Sequence, residues 1–487
     1  MSATLSSPSG GSTAEMVTSE SEIDASCRAP ISALMLGAAA WLVAASVFGL
    51  IASIKFHSPA FLADCAWMTY GRVRAAASAA EVYGFALPAA FSAMLWILAR
   101  LAQRTVCQPW MIVLGAKLWH CGVLVGIVGI LVGDSTGYES LPLPLYAGVI
   151  LFLAYLVVGL WSAAMLANRR SSKLAPSQWF LLAALFWFPW IFSTANLLLL
   201  AFPVRGVMQS VIGWWFGNNL SFVWFGLVGI AAFFYLTPRF AARDLHSEYL
   251  ALFTFLTLIS FASWAGIPVG APVPAWMPTL SRLATVLTLV VFVSLGLNIF
   301  HTKHSSAPLG EPRIAAGFLF FGLGMFQLAG LLRIVGVLPA VHSVIRFTWF
   351  GAGLAHLNAY GFFAMTLFGV IYYAGPRIAG VEFPWRRLPV AHFVCSAAGI
   401  LFLALPLIAA GVVQGRKWND PTVDIVPVTQ ATLPFLRAST VGDLLILFGN
   451  LLFAVNLLGL TARFCLLHVP RAYRTVAAEL KTAEVKP

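Results

Sequence analysis

The sequence has few charged residues and no cysteine motif. Only 9% of its 487 residues are charged, whereas a soluble domain carries roughly a quarter, so the composition excludes a water-soluble fold. The six cysteines are scattered without CxxC or CxxCH spacing, which excludes a zinc ribbon and covalent attachment of c-type haem. The chain has 29 basic and 17 acidic residues. This excess of positive charge does not by itself indicate nucleic-acid binding, because basic residues also accumulate in the cytoplasmic loops of membrane proteins.

Long apolar runs dominate the rest of the chain, which is 60% hydrophobic. A run of about 20 residues crosses the hydrocarbon core of a bilayer. The sequence therefore predicts an all-α polytopic membrane protein with twelve transmembrane helices. We place them at about 31–54, 76–100, 109–132, 144–167, 178–202, 212–237, 247–268, 278–301, 314–337, 347–374, 389–413 and 439–466.

The distribution of basic residues predicts the orientation. Connections after even-numbered helices carry pairs such as Arg100 with Arg104 and Arg169 with Arg170, whereas the short connections after helices three and seven carry none. Loops that are rich in Lys and Arg stay on the cytoplasmic side of the membrane. We therefore expect a bacterial-type inner membrane location and a membrane domain over 31–466. A disordered N-terminal tail (1–30) and a C-terminal tail (467–487) would both be cytoplasmic.

Ionisable residues inside membrane helices are candidates for function, because burying them is costly. Four lie well inside predicted helices: Glu81, Lys117, His120 and His356. Two roles remain open for Glu81 and Lys117: transfer of protons, or a structural ion pair. Two residues near helix ends, Arg333 and His392, are expected at the membrane interfaces.

Four separated segments carry a family resemblance. The sixth helix opens with WWFGNN (214–219), the tenth contains HLNAYG (356–361), the second is preceded by GRVR (71–74), and GVVQGRKW lies at 411–418. These segments resemble the catalytic subunit of haem-copper oxidases, especially the C-type (cbb-type) enzymes, and the related nitric oxide reductases. The resemblance implies the twelve-helix fold of subunit I.

The copper site of that family has no counterpart in this sequence. Asn218 stands where the family has its first copper-binding histidine. Pro268 and Val269 occupy the region of its histidine pair, and no histidine lies between His246 and His301. Because amide and alkyl side chains are poor copper ligands, we expect no copper.

The haem ligands can be aligned in two ways. If the tenth helix is matched to the family's H-x-H helix by the spacing of His356 and Asn358, His356 is the high-spin haem ligand. If the downstream glycines set the register, Leu354 replaces that ligand and His356 corresponds to the low-spin one. We prefer the second register, because it needs no gap.

The opposite side of the low-spin haem is also altered. Counting from GRVR, Ala77 replaces the histidine of the second helix. His120 is a candidate second ligand, and Arg72 and Arg74 are candidate partners of haem propionates. The resemblance thus implies at most one b-type haem.

The favoured hypothesis is a non-catalytic scaffold or single-haem electron-transfer subunit of a respiratory complex with a degenerate active site. Its partners would be membrane lipid and other subunits, such as c-type cytochromes, with no nucleic acid. Three alternatives are a genuine terminal oxidase or nitric oxide reductase of aerobic respiration, a haem-based gas sensor, and, less favoured, a secondary transporter.

Overall fold

The protein is a bundle of long helices. The computed structural model describes residues 19–303 and 313–484, with side chains as far as His468, and these residues form no strand. Twelve helices follow the predicted order: α1 Arg28–His57, α2 Tyr70–Ala102, α3 Pro109–Val132, α4 Leu145–Ala167, α5 Pro176–Ala201, α6 Met208–Ala241, α7 Glu248–Ala262, α8 Trp276–Lys303, α9 Arg313–Gly336, α10 Trp349–Ala379, α11 Leu388–Trp418 and α12 Ile425–Glu484. The predicted helical membrane fold is confirmed.

Helix α7 is shorter than its prediction. Within the described residues, eleven helices are long and apolar enough to cross a membrane. Helix α7 has only 15 residues, or about 22 Å at 1.5 Å per residue. It ends at Ala262 rather than at 268, because Gly266 adopts a φ of +108° and Pro268 follows it. The chain from 263 to 275 therefore forms a loop where a longer helix was expected.

The two predicted tails contain helical segments. Where a disordered segment was predicted, Glu20–Ser26 form a short helix with Ser19 as its cap. This helix packs against α2, because the buried Asp24 accepts a hydrogen bond from Trp96 (2.8 Å) and Glu20 pairs with Arg100 (2.6 Å). Residues 1–18 lie outside the described part of the chain. At the other end, α12 continues through the predicted tail to Glu484, because this segment is rich in helix-forming residues.

Three helices form the centre of the bundle. Helices α2 and α6 are buried along almost their whole apolar length, and α10 along most of it. Each contains a π-helical segment: Ala80–Ala86, Asn219–Trp224 and Leu357–Ala364. The rings of Phe225 and Phe363 stack between α6 and α10 with centroids 4.0 Å apart. Such π-segments are common at functional sites, and these three lie side by side.

Candidate functional site

A cavity of about 830 Å³ lies between the π-segments of α2, α6 and α10. Three connections border it, at 139–140, 266–269 and 347–348. They follow α3, α7 and α9 respectively, so they lie at the same end of an alternating bundle. In the predicted orientation this is the outer face of the membrane. The cavity therefore reaches from that face into the centre of the bundle.

His356 faces this cavity. It precedes the π-segment of α10, and it lines the cavity together with Leu354 and Asn358. Its imidazole forms no hydrogen bond with any residue that the structure describes. Asn358 donates to the carbonyl of Ser221 on α6, and its own amide oxygen is buried without a partner among the described residues. An imidazole and an amide oxygen are thus left available to a ligand.

His120 lies elsewhere and does not meet His356. Its Nε2 atom is 3.0 Å from the carbonyl oxygen of Leu34 on α1, and its ring packs against Gly37. A Cβ atom at Gly37 would overlap the imidazole, so α1 and α3 approach closely because this residue is glycine. The contact explains His120 as a packing residue between two outer helices. Ala77 is buried and does not line the cavity either, although Ser78 beside it does.

The two arginines of the GRVR segment point in different directions. Arg74 lines the cavity, and it lies within electrostatic range of Glu81, Asp443 and His356. Arg72 instead donates to the carbonyl oxygens of Ala66 (2.7 Å) and Leu131 (3.2 Å). Arg74 is therefore placed to contact a ligand in the cavity, whereas Arg72 anchors the connection before α2.

Asn218 joins α6 to the end of α7. Its amide nitrogen donates to the carbonyl of Ala262 at 2.8 Å. Gly266 packs so tightly here that a Cβ atom would lie 2.5 Å from the Cβ of Asn218. The loop then brings Pro268 and Val269 to the cavity wall. Pro268 and Val269 thus line the main cavity, whereas Asn218 lines a neighbouring cavity of about 370 Å³.

The expected position of Arg333 is wrong. Its guanidinium points inward, donates to the amide oxygen of Asn218 and lies 4.3 Å from the ring centre of Phe222. Arg333 lines the main cavity and a neighbouring one of about 370 Å³. The side chain turns inward because these cavities and the Asn218 oxygen offer a polar environment closer than the headgroups.

His392 lies near the start of α11, where an interfacial position was expected, but its side chain is packed inside the bundle. It is fully buried between aromatic rings, and its Nδ1 atom is 3.0 Å from the hydroxyl of Tyr372. Its Nε2 atom has no partner among the described residues. His392 does not line the cavity of His356, because it contacts Phe368 and Tyr372 in the C-terminal part of α10, whereas the cavity borders the N-terminal part of that helix.

Some cavity residues were not identified from the sequence. Arg282 on α8 and Glu139 in a connection both line the cavity. Ser78 on α2 was also missed, and it lines the cavity together with Arg74 and Glu81, which the sequence had indicated separately. Their i, i+4, i+7 spacing places them on one helix face, and this spacing was a usable signal.

Comparison with known proteins agrees with this architecture. Residues 30–445 match the family described as Cytochrome C and Quinol oxidase polypeptide I. The chain is 24% identical over 458 residues to a protein of Azorhizobium caulinodans named Cytochrome c oxidase subunit 1 homolog, covering 88% of this chain and 81% of that relative. It is 21% identical over 434 residues to the Cbb3-type cytochrome c oxidase subunit CcoN1 of Stutzerimonas stutzeri, covering 85% of this chain and 91% of the relative.

A nitric oxide reductase subunit of Stutzerimonas stutzeri is 26% identical over 268 residues, covering 52% of this chain and 54% of its own length. These relatives belong to the two groups that the sequence motifs resemble. Because the family match covers most of the chain, including all of α2 to α11, this protein belongs to the cytochrome c and quinol oxidase polypeptide I family of haem-copper oxidase subunits.

Proposed function

We propose that this protein is a non-catalytic subunit of a membrane respiratory complex, which keeps the oxidase fold but lacks the copper site. The observation that carries the proposal is the contact between Arg333 and Asn218. By the family resemblance, Asn218 stands at the position of the first copper-binding histidine. In the structure, the guanidinium of Arg333 donates a hydrogen bond to the amide oxygen of Asn218. A fixed positive charge beside this position repels a second cation.

Copper does not fit the residues present. Asn218, Pro268 and Val269 provide no imidazole, and copper prefers imidazole nitrogen to amide or alkyl groups. Within the described residues, no group of three His, Cys, Asp or Glu side chains is close enough to hold a metal ion. We therefore derive no oxygen or nitric oxide chemistry through copper for this chain.

A single b-type haem does fit, and it supports a second candidate function. The imidazole of His356 faces a cavity of about 830 Å³ and has no protein partner among the described residues. Arg74 lies in the same cavity and suits a haem carboxylate. A haem bound here would supply one-electron transfer, with His356 as an axial ligand. His120 packs against α1 and does not line this cavity, so it is not placed to be a second ligand in this arrangement.

Difference spectra and metal analysis test both functions. The complex would be purified in mild detergent, and its dithionite-reduced minus oxidised spectrum recorded with pyridine haemochrome and copper assays. We expect no copper. A b-haem that is lost in His356→Ala, but kept in His120→Ala, would support electron transfer, and absence of haem would leave the scaffold role. Stoichiometric copper with two haems would overturn the proposal.

A docking surface for a partner supports the scaffold role. Lys117 is exposed on the outside of α3, about 5 Å from the middle of the helix. The described part of the chain offers it no ion pair, although a lysine at membrane depth costs about 2.5–3.5 kcal/mol or more. We infer that a transmembrane helix of another subunit covers this face and places a carboxylate against Lys117.

Cross-linking tests this surface. Cys121 lies one turn from Lys117 and is also exposed, so a photoactivatable phenylalanine analogue introduced at position 121 should capture the partner when native membranes are irradiated. Lys117→Met should abolish the cross-link, whereas Lys173→Met, which removes an exposed pair with Glu248, should not. An unchanged cross-link in Lys117→Met, or a product containing two copies of this chain, would contradict the inference.

A further inference from the structure

Arg333 is an interior cation whose protein partners are all neutral. Its contacts are the amide oxygen of Asn218 and the ring of Phe222. The ion pairs seen in the described residues lie elsewhere: Arg100 with Glu20, Arg100 with Asp24, and Lys173 with Glu248. A charge removed from water is costly unless it is paired with an opposite charge. Arg333 therefore lacks the counter-ion that its position calls for.

Open space surrounds the donors of Arg333 that remain free. A guanidinium has five N–H donors, and only one of the nitrogens of Arg333 donates to Asn218. Two cavities, of about 830 and 370 Å³, meet at this side chain, and Gly217 and Gly266 line both. A ligand of moderate size can therefore reach the guanidinium.

A second arginine faces the same space. Arg282 on α8 lines the main cavity beside Ser281, whose hydroxyl accepts the backbone N–H of Ile267 (2.9 Å). Arg282 makes no hydrogen bond or ion pair with the residues that the structure describes. Arg333 and Arg282 thus both border the loop at 266–269, which holds the positions aligned with the copper-binding histidine pair.

The acidic residues of the cavity do not neutralise this pair. Arg74 lies within electrostatic range of Glu81 and Asp443, so these two carboxylates compensate the charge of Arg74 on the α2 side of the cavity. Glu139 lines both cavities but forms no ion pair with Arg333 or Arg282. The surplus positive charge lies on the Arg333 side.

We propose that Arg333 and Arg282 form a binding site for an oxyanion of the phosphate or carboxylate class. The site deepens the proposed function, since it occupies the position aligned with copper and replaces a metal cation by guanidinium groups. Two arginines bind such anions through charge-assisted hydrogen bonds, which are among the strongest in proteins. The anion is either a free solute or the headgroup of a lipid, because the cavity borders the predicted outer face.

Thermal unfolding of the purified full-length protein in nanodiscs tests the proposal. In phosphatidylcholine discs, inorganic phosphate should raise the unfolding midpoint above that in sodium chloride of equal ionic strength. Arg333→Gln and Arg282→Gln should each weaken the apparent affinity for phosphate about tenfold or more. Arg239→Gln is the matched control, because Arg239 also stacks on an aromatic ring (Tyr235, 3.6 Å) but lies outside both cavities.

The lipid arm repeats the measurement in discs containing phosphatidylglycerol. Stabilisation by this lipid that both glutamine variants lose, without a phosphate effect, would identify a lipid headgroup as the anion. If neither phosphate nor phosphatidylglycerol stabilises the wild type more than Arg333→Gln, the site does not exist. Haem and copper would be assayed in the same samples, so copper in the wild type would refute the proposed function separately from the anion site. Should Arg333→Gln fail to fold, Arg282→Gln gives the same test.

Discussion

The contact between Arg333 and Asn218 gives a quantitative prediction about stability. Asn218→Leu would leave the guanidinium of Arg333 without its hydrogen-bond partner, whereas the carbonyl of Ala262 would keep the backbone N–H of Ala265. A polar group left unpaired in the interior costs about 1–3 kcal/mol. We therefore expect Asn218→Leu to lower the free energy of unfolding by roughly 1–3 kcal/mol.

Arg333→Met should cost much less, although it removes the larger side chain. It loses a charge-assisted hydrogen bond of about 1.5–3 kcal/mol and a cation–π contact of about 0.5–2 kcal/mol. It also removes the cost of burying a charge, which is several kcal/mol. The two effects offset each other, so the net change should be small. In the double variant the unpaired guanidinium is absent and the carbonyl of Ala262 keeps the N–H of Ala265, so this variant should be more stable than Asn218→Leu alone.

A double-mutant cycle measures this coupling, with unfolding followed by tryptophan fluorescence during titration with sodium dodecyl sulfate. We expect an interaction energy of about 1–3 kcal/mol. Asn219→Leu combined with Arg333→Met is the control, because Asn219 bonds Trp187, Trp215 and Ser263 instead of Arg333. A coupling between positions 218 and 333 below about 0.5 kcal/mol would mean that the contact contributes nothing, and the reasoning would fail.

Two further predictions concern packing and orientation. Gly415→Ala should destabilise the protein by about 1–3 kcal/mol in the same assay, because a Cβ atom there would overlap the carbonyl oxygen of Val344. Gly324→Ala is the control and should be neutral, because a Cβ atom at Gly324 would have nothing within 4 Å. In intact cells an impermeant maleimide should label the exposed Cys65. Cys27 should stay unlabelled even after permeabilisation at pH 8, because burial raises the pKa of its thiol to about 12 and keeps it protonated. Labelling of Cys65 only after permeabilisation would contradict the predicted orientation.

The helices were predictable because membrane burial requires long apolar runs, and these can be read directly. Their ends were less predictable. Helix α7 stops at Ala262 although the apolar run continues, because the left-handed Gly266 and Pro268 turn the chain towards Asn218. The helix Glu20–Ser26 was missed because its stability comes from contacts with Trp96 and Arg100, which lie far away in sequence.

The candidate site was only partly predictable, for a geometric reason. Depth along a helix follows from residue number, but the direction in which a side chain points depends on packing. His120 and His356 lie at similar depth, yet His120 faces α1 and His356 faces the cavity. Arg333 lies only three residues from the end of α9, which suggested the headgroups. The oxygen of Asn218 instead draws it inward.

In the proposed function, the guanidinium of Arg333 takes the place of a copper ion, and this would change the class of ligand that the cavity favours. A copper ion offers empty coordination positions, which bind small neutral molecules as well as anions. A guanidinium offers fixed N–H donors and a permanent charge, and these favour planar or tetrahedral oxyanions. Because Phe222 and Asn218 hold the guanidinium on two sides, it cannot withdraw to leave a neutral pocket. We therefore propose that the cavity binds oxyanions at Arg333, with His356 still available in the same cavity.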